Sequence, residues 1–405
     1  MKAIRDIVDK YKPLFDKGGK LEKLHYVFDG IETFLFVPNH TTPAKGAQIR
    51  DAIDMKRNMN TVIVAMLPCL LFGIYNVGLQ HYLAIGQEPE FWNCFGIGAL
   101  KVVPIIIVSY LVGLTVEFIF CGVRSHPINE GYLVTGMLIP LVVPATIPLW
   151  QVALACIFAV VIGKEVFGGT GMNILNVALT ARAFLYFAYP QQISGDVWTY
   201  IGDQTAVDGF SGATPLAIAY EASSNATGSV VDALNASNSM ISSTLFTEIY
   251  SFSNMFFGFI PGSIGETSTL MALLGAALLI LTGVGSWKVI VSVFAGAYLM
   301  GLGFNALGGN AFMEMPAHYH LVIGGMAFGA VYMASDPVTA AQTERGKWIY
   351  GFLIGILTVI IRVTNPAYPE GIMLAILLMN VFAPLIDFYV VKANKQRRLS
   401  RATAV

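Results

Sequence analysis

The string Phe167-Gly168-Gly169-Thr170-Gly171-Met172-Asn173-Ile174-Leu175-Asn176 holds the densest set of ligand-binding groups in the chain. Its three glycines let backbone N–H groups approach a bound molecule, and a helix beginning just after them offers the positive end of its dipole. Asn173 and Asn176 stand at i and i+3 on one helix face, where each amide can donate and accept hydrogen bonds. Neutral, planar amides suit an uncharged heterocycle better than a phosphate. The competing reading is a tight interhelical turn with asparagine caps. Thr135 and Ser335-Asp336-Pro337 are further polar positions at the ends of apolar runs, where an Asp taken alone reads as a cap or loop residue.

Glu117 and Asp387 lie inside apolar runs, near what the reading below makes the negative C-terminal ends of their helices. Intramembrane acids are costly and usually mark an ion path. Pairing with Arg124 or Lys392 is the alternative. Asp208-Gly209-Phe210-Ser211-Gly212-Ala213-Thr214 is, by itself, a short turn-like string. Gly301-x-Gly303-x-x-Ala306 matches a dinucleotide fingerprint but ends an apolar run with no strand before it, so it is rejected. His318 and His320 have no third ligand nearby, and Cys69, Cys94, Cys121 and Cys156 are scattered singly; neither set predicts a metal site.

These groups must be positioned by elements that are almost wholly apolar. Of 405 residues, 55% are apolar and 12% charged, with mean hydropathy +0.65. A soluble domain carries about 25% charged residues, so half that density excludes a soluble enzyme. A net charge of −1 excludes a nucleic-acid binder. Runs near the length that crosses about 30 Å of hydrocarbon fall at 58–80, 97–121, 131–147, 149–167, 172–190, 267–284, 288–305, 318–334, 348–364 and 371–391. Eleven Lys or Arg lie in 1–57 and five in the tail, while connections 81–96, 191–266 and 306–317 hold none, with Arg362 the interfacial exception. The positive-inside rule then makes both termini cytoplasmic. No Lys or Arg lies between Arg182 and Lys288, which predicts an external 191–266 segment with a flexible Ser/Asn/Thr-rich insert over 223–244.

Leu133-Val134-Thr135-Gly136-Met137, Trp150 and Gly171-Met172 recur as Leu321-Val322-Ile323-Gly324-Gly325-Met326, Trp348 and Gly371-Ile372-Met373, entering from opposite sides. That is the pattern of an inverted repeat, whose sites gather where broken helices of the two halves meet. The expected fold is therefore an all-α polytopic membrane protein of about ten transmembrane helices in two inverted five-helix repeats, several short or broken. Its parts are a cytoplasmic amphipathic segment 1–57, repeats at 58–190 and 267–391, the external segment 191–266 and a basic tail 392–405. Thr135, Asn173, Asn176 and Asp336 then share one depth near the repeat axis.

Six strings carry a resemblance to a known family: Arg50-Asp51-Ala52-Ile53-Asp54-Met55-Lys56-Arg57, Asn129-Glu130-Gly131-Tyr132, Lys164-Glu165-Val166-Phe167-Gly168-Gly169-Thr170-Gly171, Ser211-Gly212-Ala213-Thr214, Gly262-Ser263-Ile264-Gly265-Glu266 and Asn365-Pro366-Ala367-Tyr368-Pro369-Glu370-Gly371. Spread over nearly the whole chain, they resemble the B subunits of sodium-translocating NADH:quinone oxidoreductases, whose sister is the Rnf complex D subunit. The resemblance implies FMN held by a phosphoester to Thr214 within Ser211-Gly212-Ala213-Thr214, attached by a flavin transferase that recognises upstream Asp208. It implies noncovalent riboflavin at Thr135, Asn173, Asn176 and Asp336. It places quinone near Gly113, Glu130 and Gly131, though the family's paired glycines read Gly113-Leu114 here. It puts Glu117 and Asp387 on the sodium path. Electrons would pass from external FMN to riboflavin to quinone with sodium export, in a bacterial inner-membrane complex that includes an external FMN-bearing subunit. The rivals are an Rnf-type D subunit and a non-redox inverted-repeat transporter.

Overall fold

Apolar chain in a lipid phase must satisfy its own backbone, which leaves helices as the only open option, and the chain follows that rule. The computed structural model describes residues 2–16, 19, 21–22, 25–36, 45–46, 55–124, 131–194, 197–202, 204–207, 210, 212–225, 228–238, 249–365 and 370–402. Among them there is no strand. The elements are α1 (Lys2–Phe15), α2 (His25–Leu35), α3 (Met55–Ala84), α4 (Phe91–Arg124), α5 (Tyr132–Leu141), α6 (Leu149–Gly163), α7 (Val177–Ala188), α8 (Pro215–Asn225), α9 (Val230–Asn238), α10 (Phe252–Phe257), α11 (Thr269–Leu281), α12 (Trp287–Leu307), α13 (Tyr319–Val322), α14 (Met326–Phe328), α15 (Glu344–Thr364) and α16 (Ile372–Ala402). Six of these helices are long and apolar enough to cross a membrane, and α5, α7 and α11 are shorter apolar ones. Each predicted span coincides with one of them or with the broken α13–α14 stretch.

The apolar residues point both ways. On α4, Gly98, Val102, Ile105, Ser109 and Gly113 face the bundle, while Leu100, Ile107, Leu111 and Ile119 are exposed. An exposed stripe of that kind requires an apolar surrounding phase. Small residues bring helices together: a Cβ on Gly98 would strike the Ile74 carbonyl of α3, and one on Gly296 of α12 the Phe352 carbonyl of α15.

The third apolar run of each half is broken. Helix α5 contains Pro140 and stops at Leu141, so the predicted 131–147 span is helical over ten residues only. The irregular turn after it is paired through Gly265 N–H to the Leu141 carbonyl at 2.7 Å and Ile264 N–H to the Val143 carbonyl at 3.2 Å. In the second half α13 is interrupted at Ile323–Gly325, and a π turn at Gly329–Met333 follows α14. Fully buried Arg362 donates to the carbonyls of His320 (2.6 Å), Ile323 (2.8 Å) and Glu370 (3.0 Å), supplying donors that the broken backbone has lost.

Three expectations need correction. The 172–190 run is helical only from Val177, because Gly168, Gly169 and Gly171 all adopt positive φ and hold 168–176 out of the helix. The insert over 223–244 is helical at α9, which Ser229 caps by accepting from Asp232 N–H at 3.1 Å. Arg362 is also not alone among cations beyond the basic ends: Lys101 lies 3.8 Å over the Tyr200 ring, and Arg182 is buried on α7.

Candidate functional site

Two cavities collect five of the polar residues singled out by the sequence, Thr135, Asn173, Asn176 and Asp336 in one and Thr214 in the other. The larger, about 650 Å³, is lined by Thr135 of α5, Asn173 and Asn176 of the glycine loop, Asp336 after the π turn, and also Gly131, Lys164 and Tyr332. Asn176 is the N-cap of α7: its Oδ1 accepts from Leu179 N–H at 3.1 Å, and its Nδ2 donates to Asp336 Oδ2 at 3.4 Å. Asp336 also accepts from Val338 N–H at 3.0 Å and the Thr339 hydroxyl at 3.1 Å. Enclosure pushes the Asp336 carboxyl up, and those three donors only partly oppose it. Asn173 Nδ2 donates to the Leu175 carbonyl at 3.0 Å, which fixes the loop and leaves Oδ1 as acceptor. The volume falls within the range of about 300–1,000 Å³ usual for small-molecule sites, and the wall offers amides, several hydroxyls, one carboxyl and the Lys164 side chain. That donor set fits an uncharged planar heterocycle. Asn176 thus acts as both cap and cavity wall, whereas Asn173 caps no helix; because α7 starts only at Val177, the two asparagines do not share a helix face as expected but meet on one cavity wall through the loop.

The smaller cavity, about 110 Å³, is lined by Thr214, Trp198, Tyr186, Arg182, Glu266 and Glu370 among others. Thr214 stands at the N-terminus of α8 and accepts from Ala217 N–H at 3.3 Å. Gly212 sits at φ +64, a left-handed conformation that favours glycine, and the buried Ala213 carbonyl accepts from the Tyr250 hydroxyl at 2.7 Å. Asp208, Ser211 and Glu130 lie outside the described residues. The floor is an ion cluster. Arg182 donates to both oxygens of Glu266 at 2.8 Å and to Glu370 at 2.5 Å. Gly325 leaves it room: a Cβ there would come within 2.7 Å of Glu266 and 3.0 Å of Glu370. Burial pushes the Glu266 carboxyl up to about 8, Arg182 pulling it down and Glu370 raising it further.

The expected ion-path acids meet partners other than those foreseen. Glu117 is bonded to Lys164, not Arg124, which pairs with Glu165 at 3.2 Å. Asp387 is well inside α16, which runs on to Ala402, so its own helix end does not act on it. It accepts instead from the N–H groups of Gln342 (2.7 Å) and Thr343 (3.0 Å) and the Thr343 hydroxyl (2.5 Å), at the positive N-terminus of α15. Gly113 lines neither cavity and is the seat of the Tyr132 ring, whose hydroxyl donates to the Ser109 carbonyl at 2.9 Å. Gly131 does line the larger cavity.

Sequence reasoning missed Arg182, Glu266, Glu370 and Lys164 as site residues. The signal was present for Arg182, a lone cation in an apolar run, since intramembrane charges mark function by default. Its partners lie 84 and 188 positions away, and no local spacing announces them.

Fold and cavities together define a multi-pass helical membrane protein with two polar sites joined by shared helices. The profile of the NQR2, RnfD, RnfE family matches residues 42–396, and the chain belongs to that family. It is similar to the B subunit of the Na(+)-translocating NADH-quinone reductase of Chromohalobacter salexigens, 47% identical over 99% of this chain and 97% of that protein. It is likewise similar to the corresponding B subunits of Ectopseudomonas mendocina and Azotobacter vinelandii, each 44% identical over 98% of this chain and 99% of the other. The relatives are named as subunits of an enzyme complex.

Proposed function

We propose that this chain is the B-type subunit of a sodium-translocating NADH:quinone oxidoreductase of the bacterial cytoplasmic membrane, carrying covalent FMN on Thr214 and riboflavin in the larger cavity. The observation that carries the reading is the convergence of Thr135, Asn173, Asn176 and Asp336, from separate segments, on one cavity, while Thr214 lines another. Flavins supply one- and two-electron chemistry when bound; the chain's own residues set where that chemistry happens. Thr214 offers its hydroxyl at a helix N-terminus, where a phosphoester's negative charge is favoured. At about 110 Å³ its cavity is below the usual range for a small-molecule site, so a covalent link compensates for shallow enclosure. In the larger cavity Asn173 and Asn176 supply neutral donors and acceptors, and Asp336 supplies a carboxyl held by Asn176, Val338 and Thr339. Arg182 with Glu266 and Glu370 keeps a bonded charge cluster in the wall of the Thr214 cavity.

The basic residues at 1–57 and in the tail support cytoplasmic termini, which puts Thr214 outside and the larger cavity inside. The pattern of five apolar elements twice, each with a broken third member, supports the two inverted repeats at 58–190 and 267–391. Glu117 and Asp387 remain the proposed sodium-path acids, quinone is assigned to the Gly113, Glu130 and Gly131 region, and a flavin transferase and the other subunits are the proposed partners. The test is in-gel fluorescence under ultraviolet light after denaturation, with wild type and Thr214→Ala co-expressed with the native transferase. A fluorescent wild-type band that Thr214→Ala abolishes is the expected result. A dark wild-type band sinks the FMN assignment.

A further inference from the structure

Helices α15 and α16 leave a groove of about 380 Å³ between them, lined by Arg345, Ile349, Ile386, Tyr389, Val390 and Ala393. The helices run antiparallel: Thr343 N–H is bonded to Asp387 at 3.0 Å, and the Tyr350 hydroxyl to Asn380 at 2.7 Å. The groove therefore has a deep apolar end at Ile349 and Ile386 and a mouth at the start of α15. Trp348, one turn after Arg345, meets Trp287 edge to face at 5.7 Å, and both rings are exposed. Tryptophan so placed marks the boundary between hydrocarbon and headgroups. On α16, Ile386, Val390, Ala393 and Arg397 recur at i, i+4, i+7 and i+11 on one helix face, which turns from apolar to basic as it leaves the groove. Side chains lean toward the N-terminus of their own helix. On this antiparallel pair Arg345 thus leans out toward the mouth, and Arg397 leans back toward it. The acids nearby are engaged elsewhere: Glu344 pairs with Lys288 and Lys347, and Asp387 accepts from the Gln342 and Thr343 N–H groups. Arg345 and Arg397 are exposed and pair with no carboxylate among the described residues.

We propose that this groove binds one anionic phospholipid, its phosphate between Arg345 and Arg397 and one acyl chain along Ile349, Ile386 and Val390. The apolar wall suits a hydrocarbon chain, and the two guanidiniums at the rim suit the phosphate, whose oxygens a planar guanidinium fork binds in pairs. Basic pockets between membrane helices hold anionic headgroups in this way. A zwitterionic lipid fills the apolar wall equally well but brings its own cation to the two arginines, so charge decides the occupant. The bound lipid bridges α15 and α16 beside the Asp387 contact at the start of α15. It also neutralises two of the cations crowded where α16 leaves the bundle.

The test adds phosphatidylglycerol with a photoreactive diazirine in its acyl chain to the purified, delipidated complex in detergent, and maps the adduct by peptide mass spectrometry. In wild type the adduct falls in peptides spanning 345–349 and 386–393. Unlabelled phosphatidylglycerol competes for it roughly thirtyfold better than phosphatidylcholine, the ratio that two basic contacts give. Arg345→Gln combined with Arg397→Gln removes that preference. Lys395→Gln combined with Arg398→Gln, an equal loss of charge on other faces of α16, keeps it. Equal competition by phosphatidylcholine in wild type overturns the proposal, leaving ordinary lipid contact, and so does a preference that survives loss of the two arginines. No adduct in these peptides, while α4 is labelled at its exposed Ile107 and Leu111 face, also overturns it, because another subunit then covers the groove. The wild-type competition decides by itself if the arginine variant fails to assemble.

Discussion

Replacing Arg182 by Met removes the guanidinium that donates to the carboxylates of both Glu266 and Glu370, and the structure sets the size of the effect. All three side chains are largely buried, at 3%, 4% and 13% exposure, so the penalty is that of a broken buried pair, about 3–5 kcal/mol, rather than a surface pair's 0–1 kcal/mol. Protonation limits the loss. Neutralising one carboxyl at pH 7 from its ordinary value of 4.5 costs about 3.4 kcal/mol at 1.36 kcal/mol per unit. Each unit of acidification therefore restores about 1.4 kcal/mol per carboxyl that takes a proton. The sign in wild type follows from Glu266. Its carboxyl is raised to about 8 in the folded chain, so the folded state binds a proton that the unfolded state releases above its ordinary value. Glu266's contribution is greatest at the acid end of that window and falls as pH rises through it to about 8. Melting of the detergent-purified complex, followed by tryptophan fluorescence at pH 6, 7 and 8, reads both effects. Arg182→Met should melt lower than wild type, most of all at pH 8, and adding Glu266→Gln and Glu370→Gln should recover most of the difference. A melt at pH 8 indistinguishable from wild type, or no recovery in the triple variant, refutes the reasoning.

Three further outcomes follow from single contacts. Gly275→Ala puts a methyl inside contact distance of the Tyr332 hydroxyl, which donates to the Ala65 carbonyl at 2.7 Å; overpacking by about 1–3 kcal/mol should lower the melting temperature, and Tyr332→Phe in the same chain should recover part of it. Asn176→Ala removes the α7 cap, worth about 1 kcal/mol, and the bond to Asp336; extracted riboflavin should drop while Thr214-linked fluorescence stays at the wild-type level. Arg362→Met takes the guanidinium donor from the buried carbonyls of His320 and Ile323, at about 1–3 kcal/mol each, so immunoblots of membranes should show little chain, with Arg362→Lys in between.

What the sequence made legible is what apolar run length and local capping control. The positions of the apolar helices were readable because an apolar run has one way to satisfy its backbone in lipid, and six of the ten expected spans are helices long enough to cross a membrane. The start of α7 was not, since three closely spaced positive-φ glycines, rather than hydropathy, set it at Val177. Helix α9 was hidden in a polar composition even though Ser229 and Asp232 have capping spacing. The cavity residues were legible because Thr135, Asn173, Asn176 and Asp336 interrupt apolar runs at matching depth. Ion partners were not, because Glu117 meets Lys164 across 47 positions, and only tertiary packing chooses it over the nearer Arg124. Asp387 shows the same gap. Its apolar run stops just beyond it, but α16 continues to Ala402, and the field acting on Asp387 comes from α15.

The two cavities are tied by rods rather than by loops, and this bears on what can vary between relatives. Helix α7 leaves the larger cavity at Asn176 and reaches the smaller at Arg182 and Tyr186, and α11 runs the other way, from Glu266 and Thr267 beside its start to Leu279. The broken stretch joins Gly324 and Gly325 to Val331 and Tyr332. From Asn176 to Arg182 the helix rises about 9 Å, a separation fixed by backbone hydrogen bonds. Thr214 lies within the 191–266 segment, yet its own position depends on the α8 cap, the Gly212 turn and the Tyr250–Ala213 bond. Length changes over 223–244 reach the buried Val230 and Leu234 of α9, which share a cluster with Ala213 and Leu216 beside Thr214, whereas Asn176 and Arg182 stand along the one helix that links the two cavities.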